Sequence, residues 1–187
     1  MSGAERSEAR VPATAGAVVD LLNSRPHATP AMADALDDPE RAAELLRPFG
    51  QPADTPLTPE RLDRVRALRA DLMAVLDDPD DPEPGWTKVT GHAAEVSFRQ
   101  TFAPGPQARL HQVSGDPVIG GITIAVAELV AAGTWSRIRA CAYEQCQHVF
   151  YDTTRSRTQR WHSYEMCGNR ANVAAYRARS GRTRATG

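Results

Sequence analysis

The chain has 187 residues, a formal net charge of −1 and 41% apolar residues, enough to bury the core of one or two soluble domains. No run approaches the ~18–20 apolar residues of a membrane helix, and residues 1–12 lack the apolar stretch of a secretory leader, so a cytoplasmic protein is expected. The near-neutral total conceals an asymmetry: residues 137–187 hold ten arginines against Glu144, Asp152 and Glu165, a net of +7, which leaves −8 for residues 1–136.

Such a split points to a polyanionic partner for the basic end. Lys88 is the only lysine among 22 basic residues. A GC-rich coding bias accounts for that ratio but not for where the arginines cluster.

Residues 1–12 read as a disordered start. A short apolar helix follows over 15–23 with Val18, Val19, Leu21 and Leu22. Asp38 and Pro39 open a second helix through Leu45 and Leu46 that stops near Gly50, since Asp caps well and Pro fits the first turn. Thr58-Pro59-Glu60 starts the clearest helix, in which Leu62, Val65, Leu68 or Arg69, Leu72, Val75 and Leu76 recur at helical spacing. Residues 77–85 read as a Pro/Asp-rich loop. Val96, Phe98, Gln100 and Phe102 then alternate with Glu95, Ser97, Arg99 and Thr101 as in a strand, with 109–113 as its partner. Asp116-Pro117 opens a core helix from Val118 to about Ala132, closed by Gly133. The expected fold class is α+β: a mostly helical domain over 13–134 carrying a β-hairpin, then a small treble-clef-like unit over 135–180, with 181–187 a flexible basic tail.

The three cysteines of the chain all fall in that small unit. Cys141 and Cys146 form one pair, His162 and Cys167 a second with the same internal spacing. Two close pairs of S/N ligands from separate segments suit one tetrahedral zinc. Four strong ligands leave no open position for water, so the zinc is expected to be structural. His148, two residues after Cys146, is a competing fourth ligand. His162 is favoured because His148 would demand a tight chelate and leave His162 idle.

Several segments around these ligands are distinctive: Arg139-Ala-Cys141, Phe150-Tyr-Asp152, Arg155-Ser-Arg157, Arg160-Trp161, Cys167-Gly168-Asn169-Arg170 and Tyr176-Arg-Ala-Arg179. Together they resemble the CGNR zinc finger of bacterial proteins over about 137–179. Members of that family place cysteine directly after the Trp, whereas this chain has His162. The substitution keeps a zinc-competent ligand and lowers the negative charge of the site by one thiolate. Upstream, Asp20-Leu-Leu-Asn23-Ser24 is similar to the opening of the ABATE domain, which is associated with stress-induced transcription regulation and precedes this finger in that family. The resemblance implies a bacterial regulator that binds double-stranded DNA.

The residues support the same expectation independently. Arg155, Arg157 and Arg160 lie between the two zinc pairs. Arg170, Arg177 and Arg179 fall in a helix expected over 168–179, with 170 and 177 sharing a face. Such arginines suit phosphate contacts. Trp161 reads as a core residue of the small unit and Asn169 as a helix cap. The N-terminal domain is expected to sense a small-molecule effector or to form a homodimer. Two other readings fit the basic finger: an adaptor docking an acidic partner of the transcription machinery, or an RNA binder. An enzyme is not expected. The zinc deaminase signature, the Walker A loop and the serine-hydrolase elbow are all missing, and His27, His92 and His111 stand isolated in sequence.

Overall fold

The computed structural model describes residues 11–28, 31–104, 107–174 and 176–177. Of the disordered start expected over 1–12, residues 1–10 lie outside them, as do Arg179 and the tail 181–187, whereas Pro12 directly precedes the first helix. The described residues form a helical body and a small finger, each with one antiparallel hairpin.

Helix α1 (Ala13–Asn23) turns Ala15, Val18, Leu21 and Leu22 inward. At α2 (Pro39–Leu46) the Asp38 carboxylate accepts from the Glu40 and Arg41 amides at 3.0 and 3.2 Å. A short 3-10 turn, Arg47–Phe49, follows it, and Gly50 adopts the left-handed φ of 89° that ends the segment. Thr58 caps α3 (Pro59–Asp77), which buries Val65, Leu68, Leu72 and Met73. Arg69 lies on that inner face too, 5% exposed. Its guanidinium donates to both Asp34 carboxylate oxygens and to the Ser24 hydroxyl, the last at 2.6 Å. A buried charge persists only with such partners.

The loop expected over 77–85 is shorter than its composition suggests, because helix α4 (Glu83–Ala94) begins inside it. Pro84, Gly85 and Gly91 give this segment poor helix propensity. Packing decides instead: Gly85 lies so close to α3 that a Cβ there would sit 2.7 Å from Val75 Cγ2, and Val89 is buried.

Strands β1 (Ser97–Ala103) and β2 (Gln107–Ser114) form the body hairpin. Val96, expected in the strand, precedes it as a buried turn residue, and Phe98 packs on the core. The row then leaves the core, and Phe102 is 80% exposed. Helix α5 (Pro117–Ala131), capped by Asp116 at the Val118 and Ile119 amides, packs against α1, α3 and α4 and is the centre of the body. Gly121 admits the Phe49 carbonyl: a Cβ would fall 2.1 Å from that oxygen.

In the finger, β3 (Ile138–Ala140) pairs with β4 (Val149–Tyr151). Ile138 and Val149 point into the core of the body, whereas Phe150 joins Cys141 and Cys167 in a second small cluster with Trp161 packed on it. The mixed helix-and-hairpin architecture agrees with the α+β expectation.

Candidate metal centre and basic surface

The finger hairpin carries the first ligand pair at its turn. Cys141 N donates to His148 O at 2.8 Å and Cys146 N to Tyr143 O at 2.8 Å, so the backbone curls the two thiols to one side. Gln147 completes the turn with a positive φ of 53°. The second pair comes from the chain after Trp161. Ser163 caps a π-helical turn, Tyr164–Gly168, by accepting from Met166 N at 3.2 Å, and Cys167 lies inside that turn. Helical residues continue over 169–174 and 176–177. The cap expected at Asn169 therefore moves to Ser163. Asn169 is already helical, with its side-chain amide donating to Glu165 O at 3.1 Å. Gly168 is buried beneath aromatic rings, where a Cβ would meet Tyr164 Cδ2 at 2.8 Å and Trp161 Cε3 at 3.2 Å.

Cys141, Cys146, His162 and Cys167 bring one ligand atom each into a group whose members lie within 4.8 Å of one another. His162 Nδ1 is 3.4 Å from Cys146 Sγ and 3.7 Å from Cys167 Sγ. A tetrahedral ion with Zn–S bonds of ~2.3 Å and Zn–N bonds of ~2.0 Å sets its donors about 3.5–3.8 Å apart, so the quartet fits zinc. Its electrostatics fit as well. Burial pushes Cys167 up to about 12, and burial also raises Cys146. Converging buried thiols stay protonated unless a cation compensates them. Burial lowers His162, with the nearby His27 a smaller cause, which keeps its Nδ1 lone pair free to ligate. All four positions of the tetrahedron are taken by protein, so one zinc here is structural.

His148 is not in the quartet. Its ring lies against that of His162, centroids 4.6 Å apart, and its own pKa is lowered to about 4, by burial first and then by His162, His27 and Arg25. Hydrogen bonds link it to the body. His27 Nδ1 donates to Arg25 O at 2.9 Å, and His27 Nε2 lies 3.3 Å from His148 Nδ1. His148 Nε2 then accepts from the Asn23 amide at 3.3 Å. Arg25 adds a bond to Gln147 O at 2.7 Å. His27 is buried at this seam. No local pattern in the sequence marks the seam, because its two sides lie more than 120 residues apart.

The family comparisons agree with this geometry. A model described as the CGNR zinc finger matches residues 137–180. A second, ABATE, described as "Putative stress-induced transcription regulator", matches residues 16–134. The chain belongs to the ABATE family. Curated proteins include none that matches this chain.

The CGNR finger holds its arginine loop by a buried acid. Asp152 is 0% exposed and accepts from Thr154 N at 2.8 Å, Thr154 Oγ1 at 2.5 Å and Gln159 N at 3.0 Å. Burial raises its pKa, but these bonds and the Arg139 charge outweigh it and hold the carboxyl below its ordinary value. Arg137 Nη1 ties the same loop at Asp152 O and Thr154 O, 2.8 and 3.0 Å away. Arg139 Nη1 donates to Arg157 O at 2.8 Å. Arg155, Arg157 and Arg160 are exposed on that loop, and Arg170 and Arg177 are exposed on the helical segment. The Arg160 guanidinium lies over the Trp161 ring, 5.1 Å from its centroid. Trp161 packs inward, as its reading as a core residue expects. Arg137 and Arg139 support the loop without a local sequence signal, since their bonds span 15 to 18 residues along the chain. No described helix is long and apolar enough to cross a membrane.

Proposed function

We propose that this ABATE protein is a transcription regulator that binds double-stranded DNA through its CGNR finger, in answer to a small effector held by the body. The supporting observation is the pinned loop: three exposed arginines on a segment fixed by buried Asp152 and by the zinc pairs that flank it. A loop whose backbone is already held has less freedom to lose on binding, and arginine forks suit phosphate oxygens. Arg170 and Arg177, seven residues apart, share one face of the helical segment and are the candidates for reaching base edges. We read the zinc as scaffold and the protein as non-enzymatic. Three free thiols suit a reducing cytoplasm. A homodimer would present two fingers to neighbouring half-sites.

Electrophoretic shift of duplex DNA by the zinc-loaded full chain, titrated at low and moderate salt, tests the reading. Binding that weakens linearly in log salt supports it. If the chain ignores duplex DNA and its finger instead retains an acidic protein or single-stranded RNA, the corresponding alternative replaces it.

A further inference from the structure

We infer that the groove between the ABATE body and the finger binds a small aromatic carboxylate, stacked on Trp86 and Trp135 and held by the Arg139 guanidinium. This deepens the effector part of the proposed function and rests on it for its regulatory meaning.

The groove has a volume of about 390 Å³, within the ~300–1,000 Å³ of ordinary ligand sites. The end of α3 supplies Val75 and Leu76, α4 supplies Trp86, and the finger side supplies Trp135, Ile138 and Arg139. Trp86 and Trp135 meet at 5.2 Å between ring centroids, tilted by 58°. Both are only half-buried, so they form an angled aromatic wall with surface left for a third ring. Offset and edge contacts of this kind favour a flat aromatic guest over an aliphatic one.

Charge selects the rest of the ligand. Among the described residues lining the groove, Arg139 is the one that carries charge. Its contacts among the described residues, to Arg157 O at 2.8 Å and to Asp152 at 3.6 Å, both run through Nη1. Nε and Nη2 are left to donate, and with its side chain 39% exposed the guanidinium can accept a carboxylate in the two-pronged manner that arginine favours. A cationic ligand would meet repulsion there.

The same guanidinium links the groove to the arginine loop. The Nη1 bond to Arg157 O supports a residue with a positive φ of 54°, a backbone state that costs energy in non-glycine residues. A carboxylate on Nε and Nη2 shares the guanidinium whose Nη1 holds Arg157 O, and so acts on the loop that carries Arg155, Arg157 and Arg160.

Isothermal titration of the zinc-loaded full chain with 1-naphthoate, and with the neutral 1-naphthamide as its isostere, tests the site without DNA. The naphthoate should bind at one site per chain and the amide at least about tenfold more weakly, the worth of a charge-assisted bond. Arg139→Gln should bring naphthoate down to the level of the amide and leave the amide unchanged. Trp135→Leu should weaken both ligands. The Arg157 amide resonance should shift with naphthoate in the parent chain and stay still in Arg139→Gln. If Arg139→Gln does not fold, Arg139→Lys, which keeps charge but loses the fork, should bind naphthoate several-fold more weakly. Equal binding of the two ligands, indifference of naphthoate to Arg139 replacement, or no binding up to millimolar ligand overturns the inference. Naphthoate binding in a chain that does not shift DNA would sink the proposed function and leave the groove standing; DNA binding with an empty groove would do the reverse.

Discussion

Asn23 holds both backbone polar groups of Val149: Val149 N donates to Asn23 Oδ1 at 2.8 Å, and Asn23 Nδ2 donates to Val149 O at 2.8 Å. One side chain at the end of α1 thus replaces a neighbouring strand for β4. Val149 is 0% exposed in the intact fold, so its backbone groups rely on that amide. Asn23→Ala should destabilise the chain by about 2–6 kcal/mol, from two stranded backbone groups at ~1–3 kcal/mol each. Asn23→Asp keeps the acceptor for Val149 N but turns a carboxylate oxygen onto Val149 O and His148 Nε2, which only a donor suits, so it should lose at least as much. Urea unfolding of the zinc-loaded protein measures both, and an effect within ~0.5 kcal/mol of zero would mean that the seam carries no stability.

The metal centre predicts a ranking. Elemental analysis of reduced protein should find one zinc per chain. His162→Ala should release zinc to a colorimetric chelator far faster than the parent does, because Nδ1 is a direct ligand. His148→Ala should release it at close to the parent rate, since that ring only packs beside the site. The reverse order would transfer the fourth bond to His148.

Acid stability follows from two supported carboxylates. Burial raises the Asp34 pKa, but the bonds from Arg69 and the Leu36 amide, with the charges of Arg69 and Arg66, hold it below the ordinary value. Asp116 behaves alike, burial being outweighed by Arg61 and the first amides of α5. A carboxyl with a depressed folded pKa stabilises the fold fully above its unfolded value, ~3.9, and loses that contribution as pH falls through the folded value. Asp116→Asn should therefore be less stable than the parent at pH 7, with the gap closing below about pH 4. Comparing the two removes zinc loss in acid, which they share. A gap that stays constant down to pH 3 would show that Asp116 does not gain from its charge.

For the basic surface, replacing Arg155 or Arg160 by Gln should weaken duplex binding for every sequence tried. The log-affinity against log-salt slope should flatten by roughly 0.9 for each phosphate that the variant no longer neutralises. Replacing Arg170 or Arg177 should instead change the preference among sequences. Slopes unaltered in the loop variants would remove those arginines from the interface.

Gly121 offers a test of the body alone. Gly121→Ala forces a Cβ onto the Phe49 carbonyl and should cost about 1–3 kcal/mol through overpacking, read as a lower thermal midpoint with zinc content unchanged.

Local chemistry makes much of this molecule legible in advance. Asp38, Thr58 and Asp116 each announce a helix start by a side chain that can accept from amides two or three residues ahead, and each does so. The zinc ligands are legible because thiol and imidazole at matched spacing have few other uses. Helix α4 is not legible: its propensity is poor, and the reason it forms is a neighbour, Val75, on another helix. Arg69 falls within an apolar pattern that gives no sign of Asp34 neutralising it and Ser24 accepting from it inside. A cap at Asn169 comes six residues late because Ser163 already caps the π-helical turn that starts at Tyr164. Contacts such as Asn23 with Val149 link positions 126 residues apart, which no local pattern reveals.

That long-range grip bears on how the chain matures. On the ribosome α1 emerges early and β4 only after most of the chain has been made, at ~5–20 residues per second. Ile138 and Val149 are core residues of the body, so the body cannot finish packing until the finger hairpin arrives, and that hairpin is tied off by the metal ligands at its turn. In a cell short of zinc, nascent protein would then lack two of the buried residues of its body, and proteases would meet the faces of α1 and α3 that the hairpin covers as well as the finger.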